Sequence, residues 1–278
     1  MSRGQLLGAV AALCASVVAQ ALPSRPRIVS LAPHLTELVY AAGAGDLLVG
    51  VVEYSDYPEA ARSLPRIGDA WRVDMERLLA LSPDVVLTWP SGTPDDIIQR
   101  LEALKLTHRE IATYRLADVP AALRTIGAIA GTTATAETAA ARFDAEIAEL
   151  RRTYAASRPV RVFIQLDDQP VYTVNGRHII SEVVELCGGR NVFAHLPQLA
   201  PPVSIEAVIA ADPEVIVSTD DTIADPLAMW RRWTGVRAVR AGAVYSLPSD
   251  TMARATPRLV AGTRATCAAL DAARRSYR

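Results

Sequence analysis

The sequence predicts an α/β protein made of two related lobes, each with a parallel-type sheet, joined by a long connecting helix. In both halves of the chain, short apolar runs alternate with helical segments, which is typical of parallel strands in βαβ units. An alanine-rich stretch without any strand pattern separates the two halves. An internal repeat then indicates that the two lobes are related to each other.

The first half contains three apolar runs of five or six residues, the length of a buried strand. The predicted strands are 27–31, 47–52 and 84–89, and the predicted helices are 37–43, 75–81 and 95–104. The glycine-rich GAGD at 43–46 follows a helix and precedes a strand. This order is the reverse of a phosphate-binding loop, so we interpret the segment as a helix stop.

The connecting segment, 119–157, repeats its apolar residues at helical spacing. These residues are Leu123, Ile126, Ile129, Phe143, Ile147 and Leu150. The GTT at 131–133 interrupts the pattern, so we expect one or two helices there. After Pro159 the alternation resumes. The predicted strands are then 160–166 and 214–219, and the predicted helices are 178–187, 204–211 and 257–274.

The repeat joins two pairs of segments in the same order on either side of the connection. MERLLALSPDVVL at 75–87 matches IEAVIAADPEVIV at 205–217. A second match aligns ELVYAAGAGDLLVG with EVVELCGGRNVFAH, which places Glu37 against Glu182 and Gly43 against Gly188. We therefore expect an N-terminal lobe over 22–118, the connection over 119–157, and a C-terminal lobe over 158–278.

The first 21 residues resemble an export signal, which predicts an exported protein. Arg3 precedes an apolar stretch, and the segment ends on Ala19-Gln20-Ala21, a small-x-small cleavage pattern. Lipidation of Cys14 is the alternative, although Leu13 before it is larger than the residue usual at that position. Cleavage leaves Cys187 and Cys267, which predicts a disulfide in an oxidising compartment, the alternative being two buried free thiols.

Charge and hydropathy exclude two classes of partner. The 29 Lys and Arg residues nearly balance 30 Asp and Glu residues, so no charge field attracts nucleic acid. No apolar run reaches the roughly 18 residues of a membrane span. Neither a GxSxG nor an HExxH motif is present, and the four histidines are widely spread, so we predict neither catalytic residues nor a metal site.

Rings and polar groups follow several predicted strands, where α/β sheets place their ligands. Because both lobes contribute such residues, we expect one ligand-binding cleft between them. The candidate residues are Pro33, His34, Tyr54, Tyr57, Trp71, Trp89, Gly92, Tyr172, Asp250, Thr251, Met252, Ala253 and Arg254.

Six motifs together resemble a known family. They are RIVSLAPHLTEL, VVEYSDYP, MERLLALSPDVVLTW, VYTVNG through ELCGGRNVF, PPVSIEAVIAADPEVIV and PSDTMARATPRL, and they cover nearly all of 26–272. The chain resembles the periplasmic cobalamin-binding proteins of ABC importers. They belong to the substrate-binding proteins in which a long helix joins two lobes, the class III periplasmic binding protein fold, a group that also contains haem and ferric-siderophore binders.

The resemblance implies roles for individual residues. Tyr54, Trp71, Tyr172 and the segment Asp250 to Arg254 match ligand-contacting positions or lie beside one. Glu76 and Glu206 match an acidic pair, one per lobe, that docks onto arginines of the permease dimer. Cys187 and Cys267 match the family disulfide. Two positions depart from the pattern, since Ala200 and Thr251 stand where a well-known cobalamin binder has tryptophans.

We therefore expect a soluble periplasmic protein that captures cobalamin or a related corrinoid and delivers it to an ABC transporter permease dimer in the inner membrane. The corrinoid is the transported ligand, and we expect no cofactor, no enzymatic activity and a monomeric state. The nearest alternative is a haem or ferric-siderophore binder, which a Tyr or His axial ligand would favour. The alternative from another class is an enzyme on a duplicated α/β scaffold, which would need converging acid, base or nucleophilic groups.

Overall fold

The computed structural model describes residues 25–69, 71–90, 92–219, 225 and 228–277. The predicted export signal, 1–21, and Cys14 lie outside these residues. No helix in the described part of the chain is long and apolar enough to cross a bilayer.

The N-terminal lobe is a four-stranded parallel sheet with helices between its strands. In chain order its elements are β1 (Ile28–Ser30), α1 (Pro33–Ala41), β2 (Leu48–Val51), α2 (Met75–Ala80), β3 (Val85–Thr88), α3 (Asp95–Ala103) and β4 (His108–Glu110). The strand order is β2-β1-β3-β4, and every pairing is parallel. Helix α1 starts four residues earlier than predicted, because Pro33 takes its first turn, where no backbone N–H is needed.

Two helices connect the lobes, α4 (Asp118–Ala130) and α5 (Thr133–Tyr154). They are separated at Gly131, which has the left-handed backbone that favours glycine and accounts for the interruption expected at the GTT. Helix α5 has 22 residues, or about 33 Å at 1.5 Å per residue.

The C-terminal lobe repeats the plan of the first. Its elements are β5 (Val160–Gln165), β6 (Asp167–Asp168), β7 (Val171–Tyr172), α6 (Ile179–Leu186), β8 (Gly189–Asn191), α7 (Ile205–Ala211), β9 (Val215–Ser218), α8 (Arg237–Arg240), β10 (Val244–Ser246), α9 (Ser249–Met252) and α10 (Leu259–Ser276). Strands β8-β5-β9-β10 form the parallel sheet in that order, while β6 and β7 form an antiparallel hairpin.

The two sheets have the same order once β1 is matched with β5, β2 with β8, β3 with β9 and β4 with β10. Both sequence repeats fall on equivalent elements, α2–β3 with α7–β9 and α1–β2 with α6–β8. Gly43 and Gly188 end α1 and α6 with φ values of +77° and +75°. The repeat in the sequence is thus a repeat of structure.

Each sheet is covered on both faces. Outer clusters lie under α2 and α3 in one lobe and around Phe163 and Trp230 in the other. The inner faces share a single apolar cluster that runs from β1 through α4, α5 and α10 to β5 and β9. A Cys187–Cys267 disulfide joins the end of α6 to α10, as predicted. It closes a loop of 80 residues, worth about 4 kcal/mol on the chain-entropy model.

Candidate ligand-binding cleft

The carboxyl ends of both sheets face a common cleft between the lobes. A cavity of about 70 Å³ lies at its base. Its lining includes His34, Trp89 and Thr113 from the N-terminal lobe, and His178 and Leu199 from the C-terminal lobe. Contributions from both lobes agree with the expectation of one shared cleft.

A wider hollow of about 440 Å³ opens beside this cavity. Tyr114, Arg115, Arg177 and Leu199 line it, and three of them also line the cavity at the base. The smaller space holds no more than about two waters, at roughly 30 Å³ each. The wider one falls within the range of about 300 to 1,000 Å³ that is usual for ligand pockets.

One buried and one half-buried imidazole, those of His34 and His178, line the small cavity. The His34 ring lies edge-on to Trp89 at 4.9 Å between centroids, and its Nε2 is 3.4 Å from Thr113 Oγ1. Burial, together with the positive charge of Arg254, lowers the pKa of His34 to about 4. His178 caps α6, accepting the Ile180 N–H at Nδ1, and burial lowers its pKa to about 4. Both rings are therefore neutral at pH 7.

Exposed rings form the rim of the N-terminal lobe. The Tyr54 and Trp71 side chains are 77% and 71% exposed. Trp71 projects from a turn closed by the Gly68–Val73 bridge, in which Asp69 Oδ1 accepts the Trp71 and Arg72 N–H groups. Large rings left in water by a folded protein are typical of binding surfaces. Across the cleft, Tyr172 is half-buried on β7, where it pairs with Asp167.

The segment after β10 contributes a charged cluster. Arg254 pairs with Glu37 at 2.9 Å, with Asp56 at 2.8 Å and with Asp250 at 3.2 Å. Burial works to raise the pKa of Asp56, but the hydrogen bond and charge of Arg254 hold it below its usual value. The cluster joins Arg254 and Asp250 to the loop that carries Tyr54.

Three of the predicted residues meet in the small cavity: His34, Trp89 and Ala253. Gly92 supports the site indirectly, because a Cβ there would lie 2.1 Å from the Trp89 ring. Pro33 begins α1, and the Thr251 hydroxyl donates to the Pro248 carbonyl. Met252 is fully buried in the shared core, so its side chain does not face the cleft.

Sequence reasoning missed lining residues from both lobes. The residues missed are Thr113, Tyr114, Arg177, His178, Ile179, Leu199 and Ala255. Thr113 and Tyr114 follow β4. This strand has only three residues, all polar, so no apolar run in the sequence indicates it. His178 had one usable signal, its place immediately before a helix, where it acts as the N-cap.

Within the described residues, no group of three or more His, Cys, Asp or Glu side chains is arranged to hold a metal ion. The cleft therefore offers rings, neutral imidazoles and arginines. Such a surface suits a large, partly apolar ligand with polar edges.

Comparison with known proteins identifies the family to which this architecture belongs. The profile of a family described as periplasmic binding protein matches residues 28–251. The chain belongs to the periplasmic binding protein family. Members of this family are substrate-binding proteins, so the alternative of an enzyme is set aside.

Within the family, the chain is 37% identical over 261 residues to the vitamin B12-binding protein of Vibrio cholerae serotype O1, covering 94% of each chain. The crystal structure of the periplasmic vitamin B12 binding protein BtuF of Vibrio cholerae matches with a TM-score of 0.84 and 37% identity, over 90% of this chain and 98% of that one. This match confirms the predicted class III fold.

A periplasmic heme-binding protein, RhuT from Roseiflexus sp. RS-1, matches with a TM-score of 0.78 and 27% identity. The match covers 89% of this chain and 99% of that one. The same fold therefore occurs in relatives named for two different macrocyclic ligands.

The buried imidazole of His34 predicts a loss of stability in acid. Its folded pKa of about 4 lies below the unfolded value of 6.5, so between these values the unfolded chain binds the extra proton. Stability falls as pH drops through this window, by about 3 kcal/mol at most. His34→Gln should remove this part of the pH dependence of the unfolding free energy in denaturant titrations from pH 7 to pH 4. Exposed His195→Gln is the control, and an unchanged slope in His34→Gln would contradict the assignment.

Proposed function

We propose that this periplasmic binding protein captures cobalamin or a related corrinoid in the cleft between its lobes and delivers it to an ABC transporter. The observation that carries the proposal is the 37% identity, over 94% of both chains, to a protein named for binding vitamin B12. The corrinoid is the transported ligand rather than a cofactor, and no reaction is catalysed.

The shape and chemistry of the cleft support a macrocycle lying across its mouth. The cavity of about 70 Å³ at the base is too small for a corrin, while the hollow beside it and the exposed Tyr54 and Trp71 rings offer a wide surface. Flat rings at this rim can stack on the face of the macrocycle or pack against its edge. Arg177 and Tyr114 supply hydrogen-bond donors at its margin.

Haem is the second candidate, and a specific observation favours it. Two imidazoles, His34 and His178, face one cavity, and histidine is a common axial ligand of haem iron. Against it, His178 Nδ1 already accepts the Ile180 N–H, and His34 is 8% exposed and packed on Trp89.

Spectral titration distinguishes these ligands. Purified protein is titrated separately with cobalamin, cobinamide and haemin while the visible spectrum and the protein fluorescence are recorded. We expect saturable one-to-one binding of cobalamin or cobinamide and no saturable binding of haemin. Tight binding of haemin alone would overturn the proposal.

Single ring deletions locate the ligand on the cleft. Tyr54→Ala, Trp71→Ala and Tyr172→Ala should each weaken corrinoid binding by about 1 to 3 kcal/mol, because each removes a ring contact. Thermal unfolding should change little for the two exposed residues. Leu104→Ala, an exposed apolar residue at the opposite end of the sheet, is the matched control. Affinities equal to that control in all three variants would remove these rings from the site.

We also propose that Glu76 and Glu206 dock the protein onto the transporter permease dimer. Both are exposed in the first turn of equivalent short helices, α2 and α7, and neither has an ion-pair partner among the described residues. Side chains of Asp74 and Ser204 already cap those helices, so the glutamates are not needed as caps. Two matching charges on pseudo-equivalent surfaces suit a partner with twofold symmetry.

Charge reversal tests the docking surface. The double variant Glu76→Lys with Glu206→Lys should keep its ligand affinity and folding but lose stimulation of the cognate transporter reconstituted in lipid, because like charges would face its arginines. Glu102→Lys with Glu149→Lys makes the same change of charge at exposed sites elsewhere and should keep stimulation. Full uptake with the first double variant would reject the assignment.

We further propose that the exported protein begins at Leu22 and is monomeric. The small-x-small pattern at Ala19-Gln20-Ala21 supports cleavage there, and the Cys187–Cys267 disulfide fits an oxidising compartment. Native mass spectrometry of protein recovered from the periplasm should give one chain starting at Leu22 with no alkylatable thiol. A mass that retains Met1, or a dimer, would contradict this proposal.

A further inference from the structure

The Glu37 side chain is buried in helix α1, beneath the cleft. The side chain is 2% exposed, yet its carboxylate has three donors. Arg254 Nη1 and Arg258 Nη1 donate to Oε1 at 2.9 and 3.1 Å, and the Thr256 hydroxyl donates to Oε2 at 3.0 Å. A buried carboxylate requires such partners, so the three donors are held in one geometry.

The same arginines hold the loop that carries the rim rings. Arg254 donates to Asp56 Oδ1 at 2.8 Å and to the Tyr54 carbonyl at 3.4 Å. The Arg258 guanidinium lies 4.1 Å from the centroid of the Tyr57 ring. Each arginine thus contacts the buried carboxylate on one side and the 54–57 loop on the other.

This loop needs external support. Tyr54 has a φ of +64°, a left-handed backbone that is unfavourable for a residue with a large side chain. Its ring is mostly in water and provides little packing to offset that cost. Ser55 in this loop is fully buried, and it accepts hydrogen bonds from the Thr36 hydroxyl and, at its carbonyl, from Arg66. The contacts from Arg254 and Arg258 add restraint beside the two rings.

We propose that Glu37 is a positioning residue for the cleft: it orients Arg254 and Arg258 so that they fix the Tyr54 and Tyr57 rings at the rim. Because the arginines follow β10 while the loop follows β2, a segment from the C-terminal lobe sets the ring geometry of the N-terminal lobe. The consequence for ligand affinity rests on the function proposed above, whereas the consequence for the loop does not.

The internal repeat supplies a matched control. Glu182, the counterpart of Glu37 in α6, accepts hydrogen bonds from Arg115 Nε at 3.0 Å and from the Leu116 N–H at 2.9 Å. These donors belong to the segment that follows β4 in the N-terminal lobe, just as Arg254 and Arg258 follow β10 in the C-terminal lobe. Each glutamate therefore binds the segment that follows the last strand of the opposite lobe. Among the described residues, the hydrogen bonds and ion pairs of Glu182 are made with Arg115, Leu116 and Arg151, none of which belongs to the 54–57 loop.

Hydrogen–deuterium exchange of the unliganded protein is the first test. The Glu53 and Ser55 amides, which donate to the Gly68 and Val52 carbonyls, are the reporters. Glu37→Gln should speed exchange in peptides covering 53–57 by about tenfold, while Glu182→Gln should speed exchange at 114–116 and leave 53–57 unchanged. Equal exchange at 53–57 in both variants would overturn the proposal.

Ligand binding is the second test. Glu37→Gln should weaken corrinoid binding by about tenfold, and by less than twofold in a background with both Tyr54→Ala and Tyr57→Ala, because the loop then presents neither ring. Additive losses in the combined variant would overturn the coupling. If Glu37→Gln folds poorly, Asp56→Asn provides a second variant, because it removes the ion pair between Arg254 and the same loop. It should give the same exchange pattern. If no corrinoid binds, the exchange result still decides the role of Glu37.

Discussion

The architecture depends on one apolar core that both lobes share. Residues of both sheets and of the helices α1, α4, α5, α6 and α10 belong to one continuous apolar cluster. Moving one lobe away from the other would expose that core to water, at about 25 cal/mol per Å². The Cys187–Cys267 bond adds a covalent link between α6 and α10. We therefore interpret the cleft as a preformed surface rather than a hinge that closes over its ligand.

The pseudo-twofold relation between the lobes places equivalent glutamates both in the interior of the protein and on its surface. Inside the protein, Glu37 and Glu182 occupy equivalent positions, and each accepts a hydrogen bond from an arginine that follows the last strand of the opposite lobe. Outside, Glu76 and Glu206 present matching charges on matching helices. The cleft itself breaks the symmetry, with exposed rings on the N-terminal rim and Arg177 and His178 on the other side. A symmetric outer surface suits a symmetric partner, and an asymmetric cleft suits an asymmetric ligand.

Strong apolar periodicity made most elements predictable, and its absence explains those that were missed. Strands β1, β3, β5 and β9 are central and largely buried, so apolar residues predominate in them. Strands β4, β8 and β10 lie at the edges of the sheets and have only three residues each, too few to form an apolar run, and β4 and β8 also carry polar side chains. Helix α1 was placed too late because its first turn, PHLT, contains proline and histidine rather than periodic apolar residues.

By itself the sequence determined the fold class, the duplication, a helical connection and the cysteine pair, because each depends on local periodicity or on segments that can be compared directly. It also placed His34, Trp89 and the exposed rings at strand ends. Only the tertiary structure decided that Arg254 belongs to a cluster around buried Glu37, that Met252 faces the core, and that Arg177 and His178 line the cleft. The reason is physical: such contacts join residues up to 221 positions apart, so no local pattern records them.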